Sequence, residues 1–191
     1  MRKFVYYVGA SLDGYIAGPN AEFDFYPVSE DQLGFINARY PETVPTHLRK
    51  PFGLEHAPNL AFDTLVMGRG TYEPALAVPT TSPYGHLRQY VVSTTLTIDD
   101  PTVEVVPEDP IGLVRRLKAE DSHLDIWLCG GGSLAGSLLP EIDDLIVKSY
   151  PVVAGDGISM FTGGFDPTPF TPTDRHTFDN GTQVTWFSRT D

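Results

Sequence analysis

The sequence contains a single cysteine, Cys129, among its 191 residues. One thiol cannot form an internal disulfide, and such a chain fits a reducing compartment. Long apolar runs are also missing, since no stretch approaches the roughly 20 residues that a membrane-spanning helix requires. The segment after Met1 has polar breaks that are not typical of a signal peptide. These absences predict a cytoplasmic protein with no membrane span.

Basic residues are scarce: 13 Lys and Arg stand against 25 Asp and Glu, which gives a net charge of −12. This balance repels a phosphate backbone, and no Lys/Arg-rich run offsets it, so nucleic acid is not a predicted partner. An acidic protein can still bind a small anionic cofactor where a few cations and backbone N–H groups converge. The composition therefore favours a small-molecule ligand.

Several well-known ligand motifs are absent. No lysine follows a Gly-x-x-x-x-Gly loop, so there is no Walker A motif. Neither His-Glu-x-x-His nor Cys-x-x-Cys occurs, and the five histidines are dispersed along the chain. The sequence thus predicts no metal site.

Short segments rich in β-branched and aromatic residues alternate with segments of helical periodicity, which predicts an α/β fold with a mostly parallel sheet. An Asn180-Gly181 pair between apolar segments predicts an antiparallel C-terminal hairpin. With no visible repeat or linker, we expect one domain over residues 1–191. The predicted strands are 4–10, 64–67, 90–93, 103–105, 125–129 and 145–153; the predicted helices are 29–39, 110–118 and 133–139; residues 11–20 are predicted as a loop and 41–59 as a loop or broken helix.

Three consecutive glycines, Gly130 to Gly132, follow a predicted strand and precede a predicted helix. Glycine lets a backbone approach a ligand closely, and the first N–H groups of a helix have no partner within it. This arrangement favours a phosphate-binding turn. The alternative is a tight turn that packs a helix against a strand and binds nothing.

The same turn resembles a hydrolase nucleophile elbow, Gly-x-Ser-x-Gly, around Ser133. Asp143 or Asp144 and then His176 follow in the chain order of that triad. The fifth position is Ala135 instead of glycine, and the chain is short for that fold. A hydrolase is therefore the less favoured interpretation of this turn.

Two further strand ends carry hydrogen-bond donors. Gly68 and Gly70 bracket Arg69 after one strand, and Thr71 follows. A guanidinium offers charge-assisted donors to phosphate, although Arg69 could equally pair with a surface carboxylate. Ser93 and Thr94 follow the next strand. Because ligands of open α/β sheets bind beyond the carboxyl ends of the strands, these side chains are candidate cofactor contacts.

In this order, these segments resemble the dihydrofolate reductase-like family, most closely the RibD C-terminal reductase branch. The resemblance spans nearly the whole chain and is carried by residues 11–18 (SLDGYIAG), 67–73 (MGRGTYE), 129–134 (CGGGSL), 144–145 (DL), 155–157 (GDG) and Phe161. It implies a three-layer sandwich around the central sheet and a stand-alone NADPH-dependent reductase.

The resemblance also implies roles for particular residues. Ala10 and Ile16 would flank the nicotinamide ring, Arg69 and Thr71 would hold phosphate, and Ser93 and Thr94 would lie near the adenosine 2′-phosphate. The remaining cofactor contacts would be Gly68, Gly130, Gly131, Gly132, Ser133 and Leu134.

For the substrate, the resemblance implies a small heterocycle, either pterin-like or ribosylaminopyrimidine-like, as in folate or riboflavin metabolism. Asp24 lies in the region of the folate branch's substrate-binding carboxylate, and burial beside Phe23, Phe25 and Tyr26 would raise its pKa and make it a proton donor. A loop or N-cap role for Asp24 is equally open. A different class, a nucleotide-binding module without turnover, is the alternative to the enzyme. An exposed edge strand or the C-terminal hairpin would support a homodimer.

Overall fold

The structure, a computed structural model, describes residues 1–78 and 80–190. An eight-stranded sheet forms its centre, in the order β5-β4-β3-β6-β1-β7-β10-β9. The strands from β5 to β7 run parallel, and the hairpin of β9 and β10 adds antiparallel strands at one edge. Two short strands, β2 and β8, pair separately. The strands are β1 Phe4–Ala10, β2 Tyr15–Ala17, β3 Phe62–Gly68, β4 Arg88–Val92, β5 Val103–Val106, β6 Asp125–Gly130, β7 Asp144–Ser149, β8 Ile158–Ser159, β9 Phe170–Thr177 and β10 Gln183–Arg189.

The α-helices are short, and the clearest local start signal belongs to α4. Asp109 accepts a hydrogen bond from the Gly112 amide at 2.9 Å, and Pro110 occupies the first helical position, where no N–H is needed. Leu113, Val114 and Leu117 form its buried stripe. The helices are α1 Glu30–Arg39, α2 Thr46–Arg49, α3 Arg69–Tyr72, α4 Pro110–Lys118 and α5 Gly132–Ser137.

Each face of the sheet carries its own apolar core. Even-numbered residues of β1, such as Tyr6, pack with α4 and α5 on one face, which we call the α4–α5 face. Odd-numbered residues, such as Tyr7, pack on the other with α1 and a group of aromatic rings, and we call this the α1 face. Burying one large apolar side chain contributes about 1.5–3 kcal/mol, so both faces are needed to hold the sheet. Layers on both sides confirm the predicted α/β sandwich.

Several predicted boundaries shift. The predicted loop 11–20 contains β2, because Tyr15 and Ala17 pair with β8. The predicted helix 133–139 starts one residue earlier and ends at Ser137. The strand predicted to reach residue 153 ends at Ser149. Ser29 does precede α1, but its hydroxyl makes no capping hydrogen bond.

The C-terminal hairpin forms as predicted, around Asn180 and Gly181. Gly181 adopts a φ of +84° and donates its amide to the Phe178 carbonyl at 2.9 Å, while the Phe178 amide bonds to Thr182. Glycine is suited to this left-handed position. Within residues 1–78 and 80–190, no helix has the length and apolar character needed to cross a membrane.

Candidate functional site

Three candidate turns lie side by side at the carboxyl edge of the sheet. β3 lies between β4 and β6, and its last residues, Met67 and Gly68, are in register with Gly130 and Val92 respectively. The turns after β3, β4 and β6 therefore emerge from neighbouring strands in the same direction. This adjacency confirms the expected arrangement of the strand ends.

The turns after β3 and β6 approach each other around the hydroxyl of Thr71. A Cβ placed on Gly130 would lie 3.7 Å from Thr71 Oγ1, and one placed on Gly131 would lie 3.6 Å from the same atom. A Cβ on Gly68 would lie 3.7 Å from the Gly131 nitrogen. Gly130 has a φ of +124°, a conformation that favours glycine, and its peptide bond to Gly131 is cis. The Thr71 hydroxyl therefore lies within contact distance of both glycines, and we call Thr71, Gly130 and Gly131 together the cradle.

Gly132 has a different role from its two neighbours. A Cβ there would lie 1.9 Å from the carbonyl oxygen of Ser159, and Gly132 is buried. Gly136 stands in the same relation to Thr162, whose amide donates to the Gly132 carbonyl at 3.0 Å. These contacts match the packing alternative. The triple glycine is thus divided: Gly130 and Gly131 line the cradle, and Gly132 packs against the end of β8.

Of the next two predicted contacts, Ser133 is exposed at the start of α5, and Leu134 is buried in the α4–α5 core. Only the backbone of Leu134 is therefore available to a ligand. Because α5 begins at Gly132, the amides of its first turn have no partner within the helix.

Arg69 spans the turns after β3 and β4. Its Nε donates to Glu73 Oε1 at 2.6 Å, and its Nη1 donates to Thr95 Oγ1 at 2.7 Å. The pairing with a surface carboxylate was the alternative weighed from the sequence, and it is present. Half of the Arg69 side chain remains exposed, and an exposed ion pair contributes little stability, so an anion could displace Glu73 at low cost.

The predicted hydroxyls after β4 differ in availability. Ser93 Oγ accepts hydrogen bonds from the amides of Thr95 and Leu96, at 3.3 and 3.1 Å, so it stabilises its own turn. Thr94 is exposed. Thr95, which the sequence did not single out as a contact, is the hydroxyl that Arg69 reaches.

Ala10 and Ile16 both belong to the α4–α5 face, near the cradle. Ala10 is 4% exposed at the end of β1, and Ile16 packs against the same core cluster. A Cβ on Gly131 would lie 3.9 Å from Ile16 Cδ1. The pairing of β2 with β8 holds Ile16 there, since the Met160 amide also bonds to the Gly14 carbonyl at 2.8 Å.

The loop between β1 and β2 is anchored by Asp13. Its carboxylate accepts hydrogen bonds from the Ser11 hydroxyl at 2.6 Å and from the amides of Ala154 and Gly155 at 3.0 and 2.7 Å. These bonds, that of Ser11 first, lower the pKa of Asp13 to about 2. Asp13 therefore has a structural role in the predicted loop 11–20.

Replacing Asp13 with asparagine should increase hydrogen exchange at the amides of Ala154 and Gly155, because a neutral amide is a weaker acceptor than a carboxylate. Because its folded pKa is lowered, the ionised Asp13 should protect these amides above pH 4 and lose that effect as the pH falls toward about 2. Exchange of peptides covering 152–156, followed by mass spectrometry, measures this. Asp99→Asn, an exposed aspartate, is the control; equal exchange in both variants would contradict the assignment.

The burial proposed for Asp24 is wrong. Asp24 is exposed, and the Phe23 ring beside it is 65% exposed. Tyr26 turns away from it, stacks on Tyr150 at 4.3 Å between ring centroids, and donates its hydroxyl to the Tyr15 carbonyl. Without an apolar enclosure, the argument for Asp24 as a proton donor loses its physical basis.

The hydrolase alternative fails on geometry. Asp143 accepts hydrogen bonds from the Phe4 amide and Lys118, and Asp144 pairs with Lys3 at 2.7 Å. Both aspartates lie at the amino end of β7, whereas Ser133 follows the carboxyl end of β6, so they occupy opposite edges of the sheet. No triad forms.

The sequence did not predict a less completely covered area on the α1 face. Gly9, Cys129 and Lys148 are only partly buried, in strands that are otherwise largely buried, and Gly9 is in register with Lys148. Tyr150 lies beside them. The sequence signal for this area is Lys148, a lysine at a position of β7 that faces the α1 core. No cluster of three or more potential metal ligands occurs within the described part of the chain.

Comparisons with known proteins agree with this architecture. Residues 2–184 match the family model described as the RibD C-terminal domain. YwjB of Bacillus subtilis (strain 168), described as uncharacterized, is 29% identical over 163 residues, covering 84% of this chain and 83% of YwjB.

Two solved structures share the fold. A Shewanella sp. PV-4 protein, provisionally assigned to riboflavin biosynthesis, superposes with a TM-score of 0.72 at 21% identity and covers all of both chains. Dihydrofolate reductase from Enterococcus faecalis, complexed with NADP(H), superposes with a TM-score of 0.62 at 13% identity, over 99% of this chain and 97% of that one. With the family match spanning nearly all of its length, the chain belongs to the RibD C-terminal domain family.

Proposed function

We propose that this protein is a cytoplasmic NADPH-dependent reductase that acts on a C=N or C=O bond of a small heterocyclic substrate, of the kind found in riboflavin or folate metabolism. The observation that carries the proposal is the convergence of three neighbouring strand ends on one cradle. Thr71 Oγ1 lies against Gly130 and Gly131, and Arg69 connects the turns after β3 and β4.

The residues present fit a dinucleotide with phosphate groups. Gly130 and Gly131 leave space beside Thr71, where a side chain on either would intrude. The backbone amides of Gly132, Ser133 and Leu134 supply donors for the pyrophosphate. Arg69, with Ser93, Thr94 and Thr95 near it, provides charge and hydroxyls for a 2′-phosphate. The E. faecalis enzyme, which has this fold, was solved with NADP(H), and that also supports the cofactor.

When bound, reduced nicotinamide supplies hydride. The chain's own contribution is to position and enclose the reacting groups. Ile16, which is partly exposed, offers apolar surface for a flat ring, the backbone of Ala10 lies at the end of β1, and Asp13 ties the loop 11–20 to Gly155. Excluding water there strengthens each polar contact in the site.

The proposal is tested by titrating the full-length chain with NADPH and NADH, followed by turnover assays of NADPH oxidation. We expect saturable binding that is tighter for NADPH. The assay panel contains dihydrofolate and 5-amino-6-(5-phosphoribosylamino)uracil. Tight binding with no turnover across a broad panel would favour the nucleotide-binding module. An absence of saturable binding would rule out the reductase.

Replacing Arg69 with methionine should weaken NADPH binding about tenfold, equivalent to about 1.4 kcal/mol, because a charge-assisted contact to phosphate is lost. The free energy of unfolding should change by less than about 0.5 kcal/mol, since the pair with Glu73 is exposed. Isothermal titration calorimetry and urea unfolding measure the two quantities. Arg175→Met, on the exposed strand β9, is the matched control; equal affinities in both variants would remove Arg69 from the site.

A homodimer remains a prediction. β9 forms one edge of the sheet, and its residues after Phe170 are exposed. Pro172 and charged residues such as Asp174 lie in it, and such residues oppose edge-to-edge pairing of strands. Sedimentation equilibrium of the purified chain decides between monomer and dimer.

A further inference from the structure

The α1 face of the sheet is less completely covered at the carboxyl ends of β1, β6 and β7. Gly9 is the one residue of β1 that is not buried, Lys148 of β7 is its partly buried partner in register, and Cys129 of β6 is also partly buried. A Cβ on Gly9 would lie 2.9 Å from Tyr150 Cε2 and 3.7 Å from Lys148 Cε. Glycine therefore lets the Tyr150 ring lie directly against β1 beside Lys148, and we call the half-buried surface formed by Gly9, Cys129, Lys148 and Tyr150 the Gly9 patch.

Lys148 is the cation of the Gly9 patch. Its Nζ lies 4.3 Å from the centre of the Tyr7 ring, which stabilises an ammonium through the negative face of the ring. Among the described residues, no carboxylate lies within ion-pair distance of it. Buried lysines are ordinarily paired, so a largely desolvated ammonium that is held only by a ring is available to a ligand.

Aromatic rings and an amide form the wall of the patch. Tyr26 stacks on Tyr150, and the Tyr150 hydroxyl accepts a hydrogen bond from Gln32 Nε2 at 3.0 Å. Gln32 Oε1 is buried without a hydrogen-bond partner among the described residues. A buried orphan acceptor beside stacked rings suits a planar ligand that carries N–H donors.

The patch adjoins the proposed cofactor site. Gly9 and Ala10 are consecutive, and alternate residues of a strand point to opposite faces. Because the two faces meet at the carboxyl end of β1, a substrate that extends from the Gly9 patch past this end would reach the nicotinamide beside Ala10 and Ile16. We propose that the Lys148 ammonium binds the carbonyl oxygen or ring nitrogen of a planar heterocycle on the Gly9 patch and donates the proton that accompanies hydride transfer. This inference rests on the proposed function and assigns its proton donor.

The step balances in atoms and charge. The π bond of the C=O or C=N group breaks, and its carbon gains hydride from the reduced nicotinamide, which becomes oxidised. The oxygen or nitrogen gains the Lys148 proton and forms an O–H or N–H bond. Lys148 is left as a neutral amine and regains a proton from water.

The protonation state of Lys148 suits this role. Desolvation lowers its pKa to about 8, because burial penalises the charged form. The titratable groups that face it are Tyr7 on β1, Cys129 on β6 and Tyr150 after β7. Burial raises the pKa of all three, that of Cys129 to about 12, so they stay neutral near pH 8. On the side of the C-terminal hairpin, Lys148 is in register with Val184 of β10. His176 on β9, a titratable group of that hairpin, stacks on the Phe35 ring of α1.

The first test observes Lys148 directly and needs no turnover. The full-length chain is reductively methylated with ¹³C-formaldehyde, and the resonance of Lys148 is assigned by its loss in Lys148→Arg. We expect it to titrate near pH 8. With NADP⁺ present, 6-aminouracil or folate should shift it saturably and raise its pKa, because an acceptor favours the ammonium. If neither probe moves the resonance while NADP⁺ binds, the inference is overturned. If NADP⁺ does not bind, the proposed function fails and the proton-transfer step fails with it.

The second test uses any panel compound that the wild-type protein reduces. Lys148→Met should lower kcat about 100-fold, within the usual contribution of a general acid, and leave the Kd for NADPH within about twofold. The wild-type kcat/KM should fall as the pH rises above about 8, where the ammonium is lost. Lys50→Met, an exposed lysine, is the matched control. An unchanged kcat and pH profile in Lys148→Met would reject the role.

Discussion

Replacing Gly132 with alanine is expected to lower the free energy of unfolding by about 3 kcal/mol or more. The new Cβ would lie 1.9 Å from the Ser159 carbonyl oxygen and 3.1 Å from its carbon. Both are backbone atoms that cannot rotate aside, so α5 or the β8 segment must shift. Because that segment also pairs with β2, the shift should disturb the loop 11–20 as well. Urea unfolding, monitored by tryptophan fluorescence, measures the loss.

Gly34→Ala is the matched control for this experiment. Gly34 is exposed within α1, and a Cβ there would meet no atom within 4 Å. Alanine is favoured over glycine inside a helix, so this variant should gain about 0.5–1 kcal/mol. Opposite signs at Gly132 and Gly34 are the expected result. A stability loss below about 1 kcal/mol in Gly132→Ala would show that the close packing at Ser159 can relax.

Replacing Gly131 with alanine should give the reverse pattern: a small loss of stability and a large loss of cofactor affinity. The nearest atoms to its Cβ would be Thr71 Oγ1 at 3.6 Å and Ile16 Cδ1 at 3.9 Å, which are ordinary contact distances. The fold should therefore accept the methyl group. The methyl occupies the cradle, and we expect NADPH affinity to fall about 30-fold, equivalent to about 2 kcal/mol.

Calorimetric titration with NADPH, beside urea unfolding, separates the two effects in the Gly131 variant. Gly70→Ala is its control, since Gly70 lies near the cradle but a Cβ there would meet no atom within 4 Å. Gly70→Ala should bind NADPH as the wild type does. Undiminished binding in Gly131→Ala would mean that the turn after β6 only packs strands and helix together.

The sequence predicted those elements whose signals are local. β1 coincides with the apolar segment 4–10, and α4 begins at Pro110 and ends at Lys118, as its helical periodicity predicted. The adjacency of the turns after β3, β4 and β6 also followed, because parallel strands with crossover connections place their carboxyl ends at one edge. The order of the motifs along the chain was sufficient to identify the family.

Contacts between segments distant in the chain were not predictable. The approach of Gly132 to Ser159 depends on where the β8 segment crosses α5, and neither segment carries a periodic signal for it. Asp24 was predicted to be buried because aromatic residues flank it. Tyr26 gains more by stacking on Tyr150, and the carboxylate is left in solvent. Lys148 was overlooked because the segment from Leu145 resembles an apolar strand and does not indicate that Lys148 is only partly buried beside Gly9.

The pleat of β1 has an evolutionary consequence. Gly9 and Ala10 face opposite sides of one strand, so the groups that would recognise the substrate come from α1, β7 and Tyr26, whereas those that would hold the dinucleotide come from β2 and the turns after β3 and β6. Mutations in the first set of groups can change the substrate that is reduced without changing how the dinucleotide is held. A lineage built on this scaffold can therefore diversify its metabolites while it inherits one nucleotide preference.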